Sequence, residues 1–372
     1  MLIGLSVSVT GAGVAGLSVA TALAQRGAQV TVYEQAPAIT EVGAGLQISP
    51  NGAAVLAALG LGEALRSAGV ESQAVELRDY RQGRRVLRMD LARAPGGGHP
   101  FVMLHRARLI ALLETAARDS GVDIRLNAHI APEALDTPLI IGADGVNSAT
   151  RPLLNGAAQP FFTGQVAWRA VIEDPAPPEA RVYMGPGKHL VTYPLHDGLR
   201  NIVAVEERAD WAAEGWSHHD DPQNLRAAFA GFAPQVRGWL DRVEQCNLWG
   251  LFRHDIARRW QDGRHVILGD AAHPTLPFLA QGANLALEDA WVLADCLASL
   301  PQPEALEAYQ NRRVPRVTKV IAAANANARN YHLRQPVIRG LAHTALRLGS
   351  TLVPNAPLSK FRWLYDHDVT RP

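Results

Sequence analysis

The sequence predicts an α/β (α+β) chain: a Rossmann-like domain, an inserted, mostly antiparallel β-sheet domain, and closing C-terminal helices. Three observations predict it. Gly11-Ala-Gly13-Val-Ala-Gly16 sits between an apolar run, residues 2–10, and a helical stretch reaching Gln25. Two later apolar runs, 138–142 and 265–268, each lead into a turn carrying an acid, Asp144-Gly145 and Gly269-Asp270. Between them, residues 161–252 change to short strands parted by turns such as Pro175-Ala-Pro177-Pro178 and His196-Asp-Gly198, the pattern of an antiparallel sheet.

Residues 2–10 read as a central strand, and Ala28 to Tyr33 as the next, ending in Glu34. In the glycine turn, Gly11 permits the tight bend, Gly13 lets backbone approach a pyrophosphate, and Gly16 lets helix pack on strand. The phosphates then meet the helix N-terminus. Glu34 lies 18 residues past Gly16, right for a ribose hydroxyl and wrong for a 2′-phosphate, so the bound nucleotide is not NADP. Ala15 and Gln35 are counted with this group. Residues 43–52 read as a loop entering an Ala/Leu helix. Residues 74–91 read as a hairpin around Gln82-Gly83, Ala94 to His99 as a flexible loop, and His105 onward as a helix carrying Leu109, Leu112, Leu113 and Ala116. Strands are expected at 161–172, 181–184, 189–195, 199–206 and 247–252, with helical patches in 221–243.

After the strand at 265–268, Gln281-Gly282-Ala283-Asn284 opens a helix with Leu285, Ala286, Ala290, Leu293 and Leu297 on roughly one face. A helix start offers unpaired N–H groups and partial positive charge. Beside the Asp270 carboxylate, that suits a ligand with both a polyol and an electron-accepting ring. Helices follow at 303–333, kinkable at Pro315, and at 336–349 and 357–366. The domains divide as 1–72, 100–158 and 259–335 for the nucleotide, 73–99 and 159–258 for the substrate, and 336–372 as a C-terminal helical segment.

His189 and Tyr193 lie four apart on an expected strand, so they share a face with Val191 and Leu195. At about 3.3 Å per residue their Cα atoms stand about 13 Å apart, a span suited to one ring-sized ligand. A sheet-face pair satisfied by neighbouring backbone is the plainer alternative.

Composition narrows the class. The chain is 372 residues, 48% hydrophobic and 19% charged, with net charge +1. That is a globular protein with no electrostatic case for nucleic acid or anionic membranes. Only three of the 36 basic residues are lysine, and the arginines are scattered. Cys246 and Cys296 show no metal spacing and are too few for a disulfide framework, so no metal is expected and a reducing cytoplasm fits. The uncharged stretch 2–24 lacks a basic n-region and is broken by glycines at 4, 11, 13 and 16, against a signal peptide or span. The helix near 337–352 is apolar, with packing on the nucleotide domain expected rather than stable membrane association.

Three stretches, Gly11–Glu34, Asp144-Gly145 and 265–290 with its Gly269-Asp270, His273-Pro274, Gln281-Gly282 and Glu288-Asp289-Ala290, resemble in order the motifs of the group A FAD-dependent aromatic hydroxylases. The ending Phe361–Asp368 is similar to the tail of the salicylate and 3-hydroxybenzoate hydroxylase branch. The resemblance implies bound FAD, with Asp270 on its ribityl chain and the N–H groups around Gly282, Ala283 and Asn284 on its pyrimidine edge. It places Arg106 on the flavin chain, Gly45 and Gln47 beside the ring, and Asp144 with both FAD and the nicotinamide donor. Gln47 touches flavin or substrate, or is a solvent-facing amide. Residues 126–137 are shorter than the family's usual β-excursion here, so a trimmed surface sheet is expected. Trp168-Arg169 matches a family strand and reads as structural.

His189 and Tyr193 match a pair that in 3-hydroxybenzoate and 6-hydroxynicotinate hydroxylases orients and deprotonates the substrate hydroxyl. Gln281 is a third candidate for holding substrate, and Pro274 a further contact. A phenol titrates near pH ~10 and imidazole near ~6.5, so a histidine can take that proton near neutrality. The implied activity is monooxygenation of a phenolic or hydroxylated heteroaromatic substrate with NAD(P)H and O₂, via a flavin C4a-hydroperoxide. With one glycine pattern only, NADH or NADPH visits transiently. The partners are a small aromatic and O₂, with a homodimer allowed. The alternatives are a flavin oxidase or reductase on the same fold and a non-catalytic flavin-binding module.

Overall fold

The computed structural model describes residues 1–39, 45–91, 98–209, 217–352 and 359–371. Five strands form a wholly parallel sheet, in the spatial order His265–Ile267, Leu139–Gly142, Ser6–Thr10, Gln29–Tyr33, Asp123–Arg125. The first strand in sequence is central, and Val7 and Val9 are fully buried, as a parallel sheet covered on both faces demands. It begins at Ser6 rather than residue 2, after Gly4 bends the chain at φ +87°. The helix Val14–Ala24 is buried on nearly every side. Its Ala-rich surface lets the helices Arg106–Asp119 and Gly282–Ser299 close on it.

The second sheet has eight strands, in the order Ser217–Asp220, Cys246–Arg253, Phe161–Glu173, Leu199–Glu207, Lys188–Pro194, Glu179–Gly185, Ala74–Asp79, Arg85–Asp90. Every pairing is antiparallel except that of Glu179–Gly185 with Ala74–Asp79. That parallel pairing carries the early hairpin into a sheet otherwise built from residues 161–253. The edge strand Ser217–Asp220 was not foreseen, because Ser-His-His-Asp has no apolar alternation.

The loop expected at 43–52 is corrected. Gly45–Ile48 is a strand, paired antiparallel with Val102–His105, which also pairs with Val70–Glu71. Four residues opening on glycine carry no periodic signal, and the partner strand supplies the order. Gly43, Ala44 and residues 94–97 of the expected glycine-rich loop lie outside the described residues. The short connection at 126–137 holds a 3₁₀ turn, Pro132–Ala134, and no strand among the described residues. Gln302–Tyr331 is one helix of 30 residues that passes through Pro315. The helix Pro336–Leu352 follows, and Arg362–Tyr365 is all that continues of the segment expected at 357–366, part of which lies outside the described residues. No described helix is long and apolar enough to cross a membrane.

Three adjacent strands of the parallel sheet, ending at Thr10, Gly142 and Ile267, lead into Gly11, Ala143–Gly145 and Gly269–Asp270. All three turns therefore gather at the carboxyl edge, where open α/β sheets bind ligands.

Candidate active site

The glycine turn is fixed by close backbone packing. Gly11 adopts φ +93°, and a Cβ there would stand 2.6 Å from the Ala143 carbonyl oxygen. A Cβ at Gly16 would stand 1.9 Å from the Gly11 oxygen. Gly13 differs: beyond its own chain neighbours, no described atom lies within 4 Å of where its Cβ would be. Only a ligand pressed against the turn would require glycine there, and Gly13 borders the cavity described next. Glu34 accepts the Ala12 N–H at 2.7 Å and the Ala36 N–H at 2.9 Å, so one carboxylate ties the turn to the end of its neighbouring strand. Gln35 beside it is exposed.

A cavity of about 280 Å³ runs from Gly13 and Ala15 past Arg106, Asp270, Gly282 and Ala283 to Gly45, Gln47, His189 and Tyr193. Asp270 borders this space and is exposed. Desolvation by the surrounding protein raises its carboxyl pKa, while the charges of His273 and Arg106 oppose that rise. Gly269 beneath it takes φ +61° and leaves a Cβ only 3.0 Å from the Ala15 side chain. Asp144 lies one residue off the cavity wall, between Ala143 and Gly145, which do line it. Its Oδ2 accepts from Ala149 N, Thr150 N and Thr150 Oγ1, and its Oδ1 is buried without a partner. These features fit FAD: a crowding-free glycine at a helix start, a carboxylate on the cavity wall, a cation near it and one orphaned carboxylate oxygen.

The antiparallel sheet supplies the opposite wall. Register stacks His189 against Val205 and Ala167, Val191 against Val203 and Arg169, and Tyr193 against Asn201 and Val171. Opposed residues share a face, so His189, Val191, Tyr193 and Arg169 all border the cavity. Gly45 closes the Tyr193 end: a Cβ there would lie 2.8 Å from the Tyr193 ring, and its N–H donates to Asn201 Oδ1 at 2.8 Å. Burial raises the Tyr193 phenol above its usual pKa, against the pull of Arg169 and the Gln47 and Asn201 side chains. Tyr193 is therefore a donor at neutral pH. Burial, then the nearby His332, holds His189 well below the ordinary imidazole value, which makes it a neutral base.

A second, mostly apolar chamber of about 530 Å³ adjoins the first, sharing Gln47, His189, Val191 and Pro277 with it. The same sheet face continues as its floor through Val182, Met184, Leu77 and Leu87, and the helix Pro336–Leu352 roofs it with Ala342, His343 and Leu346.

Some expected residues stand elsewhere. Gln281 is 2% exposed and off both chambers. Its amide donates to Ser49 Oγ at 3.0 Å and accepts from Asn51 Nδ2 at 3.1 Å, which corrects the reading that it holds substrate. Asn284 is buried too: its Nδ2 donates to the Gln47 and Ala280 carbonyls, and its Oδ1 accepts from Ser49 N. Its side chain stitches the strand Gly45–Ile48 to the helix rather than lining the cavity. Pro274 is buried and off the wall, its neighbours Thr275 and Pro277 taking that place. Sequence reasoning missed Asn201 and His332, and it read Arg169 as structural. Only Arg169 carried a signal, as a cation between Ala167 and Val171 on one face of its strand.

The FAD binding domain family matches residues 4–134 and 129–324. The chain is 36% identical to the 3-amino-4-hydroxybenzoate 2-monooxygenase PtnB3 of Streptomyces platensis, across 98% of this chain and 96% of that protein. It is 32% identical to the 3-hydroxybenzoate 6-hydroxylase of Polaromonas naphthalenivorans (strain CJ2), with the same coverages. The crystal structure of Klebsiella pneumoniae HpxO complexed with FAD and uric acid superposes with a TM-score of 0.81 at 27% identity, covering 94% of this chain and 95% of that one. A salicylate hydroxylase substrate complex shares the fold, with a TM-score of 0.83 at 23% identity and 98% and 96% coverage.

Proposed function

The chain belongs to the FAD binding domain family of FAD-dependent aromatic monooxygenases, and from that premise we propose how its residues divide the work. The protein hydroxylates a hydroxylated aromatic ring with O₂, using NADH or NADPH as reductant. Bound FAD supplies the electron storage and oxygen transfer that no side chain provides. In our reading, residues 1–72, 100–158 and 259–335 hold it. Gly11, Gly13 and the following helix start face its pyrophosphate, Glu34 a ribose hydroxyl, and Asp270 and Arg106 the ribityl chain. The N–H groups of Gly282 and Ala283 face the pyrimidine edge, with Gly45 and Gln47 beside the ring.

Residues 73–99 and 159–258 hold the substrate. The observation that carries this reading is the shared face of His189, Val191 and Tyr193, bordering the same cavity as Asp270 and Gly282. The substrate hydroxyl sits between His189, which takes its proton, and Tyr193, which donates a hydrogen bond and so holds the resulting phenolate in place. Removing that proton makes the ring electron-rich, the condition for accepting an electrophilic oxygen. The second chamber accommodates ring substituents, being within the roughly 300–1,000 Å³ that small-molecule sites occupy. Val337, Ile338 and Leu341, exposed on one helix, support a homodimer, and two free, buried cysteines support a reducing cytoplasm.

The test is a phenol panel, including 3-amino-4-hydroxybenzoate and 3-hydroxybenzoate, run under labelled O₂ with NAD(P)H consumption and H₂O₂ followed together. One labelled oxygen atom in the ring is expected. Labelled peroxide alone across the panel would instead identify an oxidase.

A further inference from the structure

A proton taken by His189 needs a way out, because His189 is 2% exposed. Its Nδ1 lies 2.6 Å from Nε2 of His332, and Nδ1 of His332 lies 2.8 Å from Oε1 of Glu207. Glu207 is 29% exposed and pairs through its other oxygen with Arg334, itself 73% exposed. The row therefore runs from the cavity wall to the surface. Its members come from three places: the strand Lys188–Pro194, the end of the neighbouring strand Leu199–Glu207, and the residue following the helix Gln302–Tyr331.

We propose that His332 and Glu207 form the proton path between the substrate hydroxyl at His189 and solvent. The proposal rests on the reading that the substrate is ionised at His189. The carboxylate sets the order. Glu207 accepts from His332 Nδ1–H, which leaves His332 Nε2 as an acceptor. His332 Nε2 then accepts from His189 Nδ1–H, which leaves the lone pair on His189 Nε2, the remaining ring nitrogen. Transfer is a row of three hops. The substrate O–H proton moves to His189 Nε2, the His189 Nδ1 proton to His332 Nε2, and the His332 Nδ1 proton to Glu207, which releases it to water. One proton leaves, each ring stays neutral, and reverse transfer on product release restores the tautomers.

The surrounding charges do not interrupt the row. Lys188 and Arg208 are both paired with Glu206, and Arg334 with Glu207. Tyr193 and Arg169 stand on the cavity face, and the Phe278 and Tyr331 rings flank His189 at centroid distances of 5.6 and 5.4 Å. Burial lowers the pKa of His332 against the pull of Glu207, so the two rings pass a proton on rather than store it.

Two measurements test the path. In ¹⁵N-histidine NMR of the FAD-loaded protein, His189 and His332 should both carry their proton on Nδ1 at neutral pH. A proton on Nε2 of His189 would overturn the proposal, whatever the substrate is. In stopped flow, release of a proton to an indicator dye on mixing with 3-amino-4-hydroxybenzoate should slow roughly 10–100-fold in His332→Gln and Glu207→Gln, the scale of a lost orienting partner. Glu207→Asp should restore part of it, and the pH profile of kcat should shift in the two Gln variants. Wild-type release rates and pH profiles in both would sink the path while leaving the hydroxylase reading intact. A wild type that oxygenates no phenol would sink that reading instead, with the tautomers still deciding the path.

Discussion

Gly13 and Gly16 look alike in the sequence and differ in what they would tolerate. A methyl at Gly16 collides with the Gly11 carbonyl, so Gly16→Ala should unfold or distort the turn. A methyl at Gly13 meets no described atom beyond its chain neighbours and no positive φ, so Gly13→Ala should keep the apo protein's stability within about 0.5 kcal/mol. It should nonetheless weaken FAD binding at least tenfold, which a flavin titration reads directly. Equal FAD affinity in Gly13→Ala would mean that the pyrophosphate lies elsewhere. Tyr193→Phe and His189→Ala should both still bind FAD, but substrate turnover should shift toward H₂O₂ because the ring is no longer held as a phenolate. Both variants hydroxylating with undiminished rate and coupling would place substrate activation elsewhere. The sequence placed at the wall of one cavity those residues whose backbone conformation or strand phase is local: Gly13, Asp270, and the His189–Tyr193 pair. Gln281 was misread because the direction of an amide at a helix start depends on Ser49 and Asn51, more than 200 positions earlier, which approach only in the folded chain.

At the scale of elements, the helix Gly282–Ser299 carries two adjacent acids, Glu288 and Asp289, each fully buried. The sequence showed them as part of a Glu-Asp-Ala signature without saying why acids belong in an apolar stripe. The structure supplies the reason from the helix Gln302–Tyr331. Arg313 donates to Glu288 Oε2 at 2.6 Å and to Asp289 Oδ1 at 2.7 Å, while Arg316 donates to Glu288 Oε1 at 2.8 Å. Glu288 also accepts from Asn51 Nδ2, and Asp289 from Gly269 N and His273 Nε2, so the network anchors the turn beneath Asp270. Burial alone would raise both acids. The arginines, with His273 for Asp289, outweigh it and hold each at about 2. Their folded values thus lie below the unfolded ~4. This contribution is present above about pH 4 and is lost as pH falls toward 2. Arg313→Met, which leaves two buried charges with one partner fewer, should cost about 3–5 kcal/mol in urea unfolding at pH 7. Glu288→Gln should flatten the acid limb of stability against pH. An unchanged acid limb would show that other carboxylates set it.

The whole molecule places its cavity at the meeting of three sheets. Gly13 and Asp270 come from turns of the parallel sheet, Gly45 and Gln47 from the small sheet, and Tyr193 and Val203 from the antiparallel one. The two large sheets were legible because period-two strands and Asp-Gly turns are written locally. The small sheet, the edge strand Ser217–Asp220 and the parallel pairing of Ala74–Asp79 with Glu179–Gly185 were not. Each depends on a partner distant in sequence, and the first two lack an apolar alternation of their own. This arrangement has a thermodynamic consequence. A ligand that touches all three sheets binds the folded chain and not the unfolded one, so it stabilises by an amount that grows with its concentration, about 2.7 kcal/mol at one hundred times Kd. Stripping FAD should therefore lower Tm, and adding it back should restore Tm in a concentration-dependent way. ADP, which on this reading reaches only the glycine turn and Glu34, should recover less than FAD at the same free concentration, because it lacks the flavin's contacts with the antiparallel wall and so binds with a higher Kd. Equal recovery by ADP and FAD at equal free concentration would mean that the flavin ring gains nothing from the wall of His189 and Tyr193, and the substrate would then have to be activated away from that face.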